Sequence, residues 1–556
     1  RPTPTPKTTN NATLFYRSVS ASSIPPVVYT VIFVICCMWL WHTKQTNSRI
    51  YKMGMKLPGL DPLPLIGSAH MALGKNAEEL AQLGLKLADE FGEVARAFMG
   101  PLLYIYLMGP DDIEIILESN EHIVKSPEYR FFEPWLGDGL LITAGEKWRY
   151  HRKIIAPTFH HNVLKTFIQV FNEKSLQVIK QMEVEKGKEF DIHKYMGDVT
   201  VDILVETAMG IRNKNAKGKS VTGYAEAVID LCNIVHMRHL KFYLRSDAIF
   251  NLTSYSKEQN KLINIIHGLT NRLSDKAHKN LPNEIAFTKS YSTAKPLISD
   301  TVFQGYRDDL DFIDENDVGE KKRSAFLDLL LESSQNGTHN LTDKEIADEV
   351  NTIMFEGHDT TAAGSSFALC LLAINHHIQD KAYAELYDIF GDSDRPVTYE
   401  DTVEMKLLQR IILESLRMYP PVPGIARQLK SDVKIKTGGY VLPAGATVGI
   451  VMFTAHRNPK YYKEPNVFNP DNFLPENVLK RPYYSFVPFS AGPRSCVGRK
   501  YALLKLKVLL ANILRNYRVV SDVTEDQWKL RADIILKRAD GFRLRIEPRK
   551  RVMPTF

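Results

Sequence analysis

Cysteine is scarce in this chain of 556 residues: there are five, two of them adjacent at Cys36 and Cys37, which argues against a disulfide framework. Excess charge of one sign is also missing, since 71 Lys and Arg stand against 64 Asp and Glu for a net +7. With no interleaving of aromatic and basic residues, that balance does not suggest nucleic acid as a partner. Internal repeats are absent, and so are long flexible linkers in the last two-thirds. Length alone would suggest several domains. The missing linkers, with 44% hydrophobic and 24% charged residues, fit one large unit with a sizeable core instead.

One charge-free run stands out, Ile24 to Trp41, with Tyr29, Trp39 and Trp41 near its ends as interfacial anchors. At about 1.5 Å per residue it just crosses the hydrocarbon layer. A cleaved signal peptide is the alternative, but His42, Thr43 and Lys44 follow in place of a small-residue cleavage site. The expectation is a retained transmembrane helix over 24–42. Lys44, Arg49, Lys52 and Lys56 follow it closely, against Arg17 nearest on the other side, so residues 1–23 should be luminal and the rest cytoplasmic. Asn11 then heads a luminal glycosylation triplet ending at Thr13, whereas those at Asn251, Asn336 and Asn340 would face the cytosol. Residues 43–67 form a basic, proline-rich hinge, stiffened by Pro58, Pro62 and Pro64.

Late in the chain, Phe489, Gly492, Arg494, Cys496 and Gly498 frame one cysteine with two glycines, an arginine and an aromatic. Glycine permits tight turns and close approach to a flat group. Arg494 can pair with an acid group of a ligand. A lone cysteine is more often a small buried hydrophobe, but the full spacing, F-x-x-G-x-R-x-C-x-G, resembles the haem-binding signature of the cytochrome P-450 superfamily. The resemblance implies that Cys496 is the axial ligand of haem iron, where a thiolate pushes electron density onto the metal.

Other segments follow in that superfamily's order. Trp148 and Arg152, four apart on one helical face, resemble the C-helix pair that holds a haem propionate. Thr342 with Glu345 reads as a capping box opening a helix, and the run from Glu349 to Thr361 resembles the I-helix. Mid-helix glycine costs about 1 kcal/mol relative to alanine, so Gly357 is expected to widen the helix locally. Asp359 and Thr360 would be the acid–alcohol pair that relays protons during oxygen activation. Glu356 matches a position in family 4 whose glutamate can form an ester with a haem methyl. His358 is expected to neighbour the pocket without binding iron. Glu414 and Arg417 resemble the buried structural pair of the K-helix, whose third partner is usually an arginine where this chain has Asn472.

The implied fold is mainly α with small β-sheets, a haem-thiolate domain over 68–556 preceded by the one transmembrane helix. Residues 101–109 read as a strand and 434–442 as a hairpin with a Gly-Gly turn. From about 281 to 323 helical periodicity weakens, Pro282 and Pro296 interrupt, and acids crowd at Asp308, Asp309, Asp311, Asp314, Glu315, Asp317 and Glu320. Such a stretch is either a mobile surface loop or functional. Its position resembles the extra segment of the insect subfamily G of family 4.

That resemblance implies a membrane-bound enzyme of the endoplasmic reticulum with haem b, fed with electrons from NADPH by a cytochrome P-450 reductase, with cytochrome b5 as a further donor and O2 as co-substrate. Subfamily G converts long-chain fatty aldehydes into hydrocarbons one carbon shorter for the insect cuticle. Other family 4 members hydroxylate fatty acids at the ω-carbon. A haem-binding sensor or carrier is the alternative outside enzymes, and the Asp359–Thr360 pair argues against it. Phe131, Phe132 and Trp135, with Val422 to Ile425, are candidates to face substrate, core packing being the plainer reading. Lys147, Arg149, Lys153, Arg499, Lys500, Lys505 and Lys507 would make a basic dock for an acidic electron donor if they converge; scattered solvated charge is the alternative.

Overall fold

The computed structural model describes residues 26–72, 74–75, 77–211, 222–284, 326–335 and 341–550. The chain divides by contacts into two units, Arg1–Ser48 and Arg49–Phe556. Most of the hinge therefore belongs with the large unit, where Arg96 donates through Nε to the Leu57 carbonyl at 3.0 Å.

In the first unit, Pro26–Thr46 is helical. Proline is tolerated in a first turn, where its missing N–H has no partner to lose. The helix outruns the expected boundary at 42, and Thr43 and Thr46 donate their hydroxyls back to the carbonyls of Leu40 and His42. Val27, Phe33 and Trp39 are all more than 60% exposed. A helix apolar all round and buried against nothing is long and apolar enough to cross a membrane.

The large unit is built on Asp343–Ile374, a helix of 32 residues. Its capping box forms as expected: Thr342 Oγ1 accepts from the Glu345 N–H at 3.2 Å, and Glu345 Oε2 accepts from the Thr342 N–H at 3.0 Å. Helix Ile192–Thr207 packs along it, with Arg499–Asn516 against its other side. Local widening at Gly357 does not occur, because the helix runs on unbroken. Close packing explains the glycine instead, since a Cβ there would stand 2.9 Å from Leu204 Cδ2.

Beside this helical body lies a four-stranded sheet ordered Val94–Met99, Leu102–Leu107, Thr447–Ile450, Ile425–Gln428. The middle pair is parallel and the outer pairs are antiparallel. Leu103, Ile105 and Leu107 alternate into the core, the period-two pattern that the sequence carries. The expected hairpin is Val433–Lys434 with Val441–Leu442, turned by Gly438 and Gly439 at φ +60° and +62°. A second hairpin, Leu530–Ala532 with Leu536–Arg538, projects toward the central helix. Helix Ser254–Glu284 contains Pro282 in its last turn, so that proline removes one backbone donor without ending the helix there. The rest of the 281–323 segment, with all seven acids, lies outside the described residues, as does Asn11.

The Glu414–Arg417 pair is fully buried, its two hydrogen bonds 2.8 and 2.7 Å long. Asn472 takes the third place, donating through Nδ2 to Glu414 Oε1 at 3.1 Å, so the departure from arginine leaves the cluster intact. Arg417 also donates to the carbonyls of His456 and Pro465, tying the helix Lys406–Met418 to the loop before the cysteine segment. Arg417→Ala would leave a buried carboxylate without its cation, at a cost of about 3–5 kcal/mol. Thermal denaturation should show a large fall in Tm, or no folded protein, for this variant.

Candidate active site

The cysteine loop is held by its own backbone. The Cys496 N–H donates to the Phe489 carbonyl at 2.9 Å and the Ser495 N–H to that of Gly492 at 3.0 Å. Gly492 sits at φ +65°, and a Cβ there would lie 2.0 Å from the Leu117 carbonyl oxygen, so no other residue fits. At Gly498 a Cβ would meet no protein atom within 4 Å, so protein packing does not require that glycine. Phe489 packs half-buried against the core. Gly498 caps the Arg499–Asn516 helix, placing Cys496 just before a helix N-terminus.

Cys496 is accessible while its neighbours Arg494 and Ser495 are buried. Burial, with the Glu356 carboxylate next, pushes its thiol up to about 11, against the lowering effect of the Gly498 N–H, Arg152 and Arg499. An accessible thiol so surrounded by protein faces an internal space. Alone it keeps its proton; a bound metal cation would displace it.

Four cations gather round that space. Arg494 is buried over the Trp148 ring, 4.6 Å from its centroid, and donates through Nη2 to the carbonyls of Leu141 at 3.1 Å and Thr143 at 2.8 Å. Its Nη1 has no protein partner. Burial, then Arg427, pulls Arg494 down to about 9. Arg427 is itself buried and lowered, with Nη1 on the Ala426 carbonyl at 3.2 Å. Lys125 is depressed by burial and then by Arg427 and Arg494. Arg152 donates to the Ser495 carbonyl at 2.8 Å. The helix Gly145–Ile155 that carries Trp148 and Arg152 is fixed to the central helix by the buried His151–Glu349 contact at 2.6 Å.

Opposite the cysteine, Glu356 and Thr360 lie one turn apart on the central helix, and the Thr360 hydroxyl donates to the Glu356 carbonyl at 2.6 Å. Burial raises the Glu356 side chain's pKa, with Lys125 opposing. Asp359 does not pair with Thr360. It is fully buried and accepts from Lys537 Nζ at 2.8 Å. His358 packs edge-on against Tyr224, ring centroids 5.6 Å apart, and burial lowers it to about 4. Trp135 and Phe132 pack against Phe355 at 4.5 and 6.2 Å. Phe131 belongs to the core, with the Arg238 guanidinium 4.4 Å from its ring centroid. Val422 and Ile425 are half-buried.

The expected basic dock is corrected. Arg499, Lys505 and Lys507 are buried, and the two lysines donate to the carbonyls of Gly357 at 2.8 Å and Thr402 at 2.7 Å. Lys147 pairs with Asp138 and Glu345, and Arg149 with Glu146. Of the seven, Lys153 is exposed and has no ion-pair partner among the described residues. The sequence reading missed Lys125, Arg427 and Lys537. The signal for the last two was a cation beside an aliphatic residue in a short strand, Ile425–Gln428 or Leu536–Arg538.

Among the described residues no group of three or more His, Cys, Asp or Glu could hold a metal by side chains alone. The cytochrome P450 family model matches residues 57–545. The chain belongs to the cytochrome P450 family. It is 48% identical to cytochrome P450 4g15 of Drosophila melanogaster over 96% of this chain and 99% of that protein. It is also 48% identical to cytochrome P450 4g1 of the same fly, over 96% of each. Human cytochrome P450 4V2 is 32% identical over 90% of this chain and 93% of its own. The chain is thus a family 4 member of subfamily G and a monooxygenase, and the family implies haem iron, O2 and electrons from NADPH through a reductase.

The site fits haem. Burying cations without partners is expensive, and Lys125, Arg427 and Arg494 with its unpartnered Nη1 call for anions that the propionates would supply. Cys496 would ligate the iron, and the glycine at 498 leaves room beside it for the ring. Arg494→Leu should weaken haem retention about tenfold or more, by analogy with other outer-shell contacts, as read by haem content after gel filtration. Cys496→His should keep some haem but lose both product formation and the thiolate absorbance of the reduced CO complex. Full product formation by that variant would contradict thiolate ligation.

Proposed function

We propose that this P450 is a membrane-anchored enzyme of the endoplasmic reticulum that oxidatively decarbonylates long-chain fatty aldehydes. One aldehyde, one O2, one NADPH and one proton give a hydrocarbon shorter by one carbon, carbon dioxide, water and NADP+. The supporting observation is the gradient of similarity: 48% to cytochromes P450 4g15 and 4g1, against 36% to cytochrome P450 4c3 and 32% to 4V2. The apolar N-terminal helix and the basic residues after it suit a cytoplasmic catalytic unit taking lipid from the bilayer.

Bound haem supplies the oxygen chemistry; the protein supplies position and protons. Cys496 would ligate the iron, and its sulfur accepts from the Gly498 N–H. Trp148, Arg152, Arg427, Arg494 and Lys125 would hold the propionates, while Phe489, Gly492 and Gly498 shape the loop. Phe132, Trp135 and Phe355 form an apolar wall that excludes water beside the alkyl chain. The Thr360 hydroxyl stands on the reacting side and donates a proton from Oγ1, and Asp359 replenishes it from behind the helix. Glu356, whose carboxylate acts on the Cys496 thiol, would lie beside the bound haem as the residue to form an ester with a haem methyl, a C–H bond being lost to the oxidising power of turnover with O2. The reductase and cytochrome b5 deliver electrons on the cysteine side.

Membranes carrying the protein with a reductase and NADPH should convert a labelled long-chain aldehyde to the hydrocarbon lacking one carbon. Terminal hydroxylation alone would assign it to the ordinary lipid hydroxylases, and no product with haem bound would favour a carrier. After turnover, haem should resist extraction under denaturing conditions from the native protein and be released from Glu356→Ala.

A further inference from the structure

A cavity of about 590 Å³ between the start of helix Ile192–Thr207 and the hairpin Leu530–Arg538 is lined by His193, Asp191, Lys537, Arg538 and Phe542 among others. One wall is Lys537 of the hairpin strand Leu536–Arg538, whose ammonium is 2.8 Å from the fully buried Asp359. A buried ion pair is costly to desolvate, and apolar residues of like size often do as well or better. Three polar atoms around the inner end of that pair, Asp359 Oδ1, His358 Nδ1 and Tyr224 Oη, are buried with no protein partner. Buried polar atoms are bonded in the great majority of cases. Three exceptions on neighbouring residues mark a polar patch beside the Asp359–Lys537 pair.

The groups facing Asp359 come from every neighbouring element. His193 stands on the helix Ile192–Thr207, with Nδ1 3.0 Å from Ser366 Oγ. Tyr224 and Cys232 stand on Thr222–Leu240, His358 on the central helix itself, and Asp533, paired with Arg531 at 2.6 Å, in the hairpin. Burial pushes Asp359 up, but Lys537, then His358 and His193, outweigh it and hold the carboxyl below its ordinary value. Burial lowers His193 and His358 to about 4.

We propose that this cavity is the solvent port for protons bound for Asp359, with Lys537 as the positioning residue that connects the two. The inference rests on the reading of Asp359 as a proton source for Thr360. In the step, a Lys537 N–H bond breaks and an O–H bond forms at Asp359 Oδ2, leaving neutral amine and neutral acid. The amine takes one proton from water in the cavity, and the hydroxide left behind is neutralised by a proton from bulk solvent. Asp359 passes its own proton forward and the charged pair is restored, with no oxidation or reduction.

The test compares Lys537→Met, Lys537→Arg, Asp359→Asn and Ile229→Trp, the last filling the cavity while leaving the pair intact, all checked for native haem content. Lys537→Met should lower product formed per NADPH about tenfold, at the low end of what proton delivery contributes, and raise the solvent isotope effect. Infrared titration should show the Asp359 carboxyl protonating at higher pH in this variant, because its cation is gone. Lys537→Arg should recover most of the coupling, and Ile229→Trp should lose it without moving the carboxyl titration. Normal coupling and isotope effect in both Lys537→Met and Ile229→Trp would overturn the port. If Lys537→Met does not fold, Ile229→Trp alone decides it in the same way. Normal coupling in Asp359→Asn would overturn the reading of Asp359 itself, whereas loss there with none in the other two would overturn only the port.

Discussion

Positive charge buried beside Cys496 is the constraint around which this structure is arranged. Arg427 and Arg494 are each buried, each depresses Lys125, and Arg494 keeps one nitrogen without a protein partner. Such a cluster is unfavourable by itself. Each cation is brought in by a different element: Arg494 by the cysteine loop, Arg427 by a strand of the four-stranded sheet, Arg152 by the helix Gly145–Ile155, and Lys125 by the segment bridged to Arg427. A doubly anionic flat ligand would neutralise the cluster and cross-link those elements, making haem a part of the fold as well as the reagent.

The central helix separates two environments. On one side the Glu356 carboxylate acts on the cysteine, with Thr360 one turn further along the helix; on the other, Asp359 meets Lys537 among histidines, Tyr224 and Cys232. Neighbouring residues on a helix point about 100° apart, so an acid and an alcohol in succession serve different faces. That geometry explains why Asp359 and Thr360 have separate partners. Gly357 lets helix Ile192–Thr207 come close, and Lys505 Nζ bonds its carbonyl, which fixes the helix at the point where the two environments meet.

Features governed by local rules were legible in the sequence. The capping box at Thr342, the alternating strand at Leu102–Leu107, the Gly-Gly hairpin and the cysteine loop each depend on residues a few positions apart, and each formed. What was not legible depended on long-range partners. Lys505 and Lys507 read as surface cations because nothing near them in sequence shows that their carbonyl partners are at Gly357 and Thr402. Gly357 read as a site of widening because Leu204, its reason, lies on another helix. Asn472 read as a weakened triad, yet an amide N–H reaches Glu414 as well as an arginine would. Arg427 and Lys537 were visible as charges next to aliphatic residues, but only the fold shows what each one faces.

The most direct measurement of the central claim is the affinity of the haem-free protein for haem against haem whose two propionates are esterified. If the buried cations are there to hold the propionates, haem binds far more tightly, by about a hundredfold for two charge-assisted contacts of roughly 1.5 kcal/mol each. Equal affinity for the two would mean that Lys125, Arg152, Arg427 and Arg494 serve something other than the cofactor.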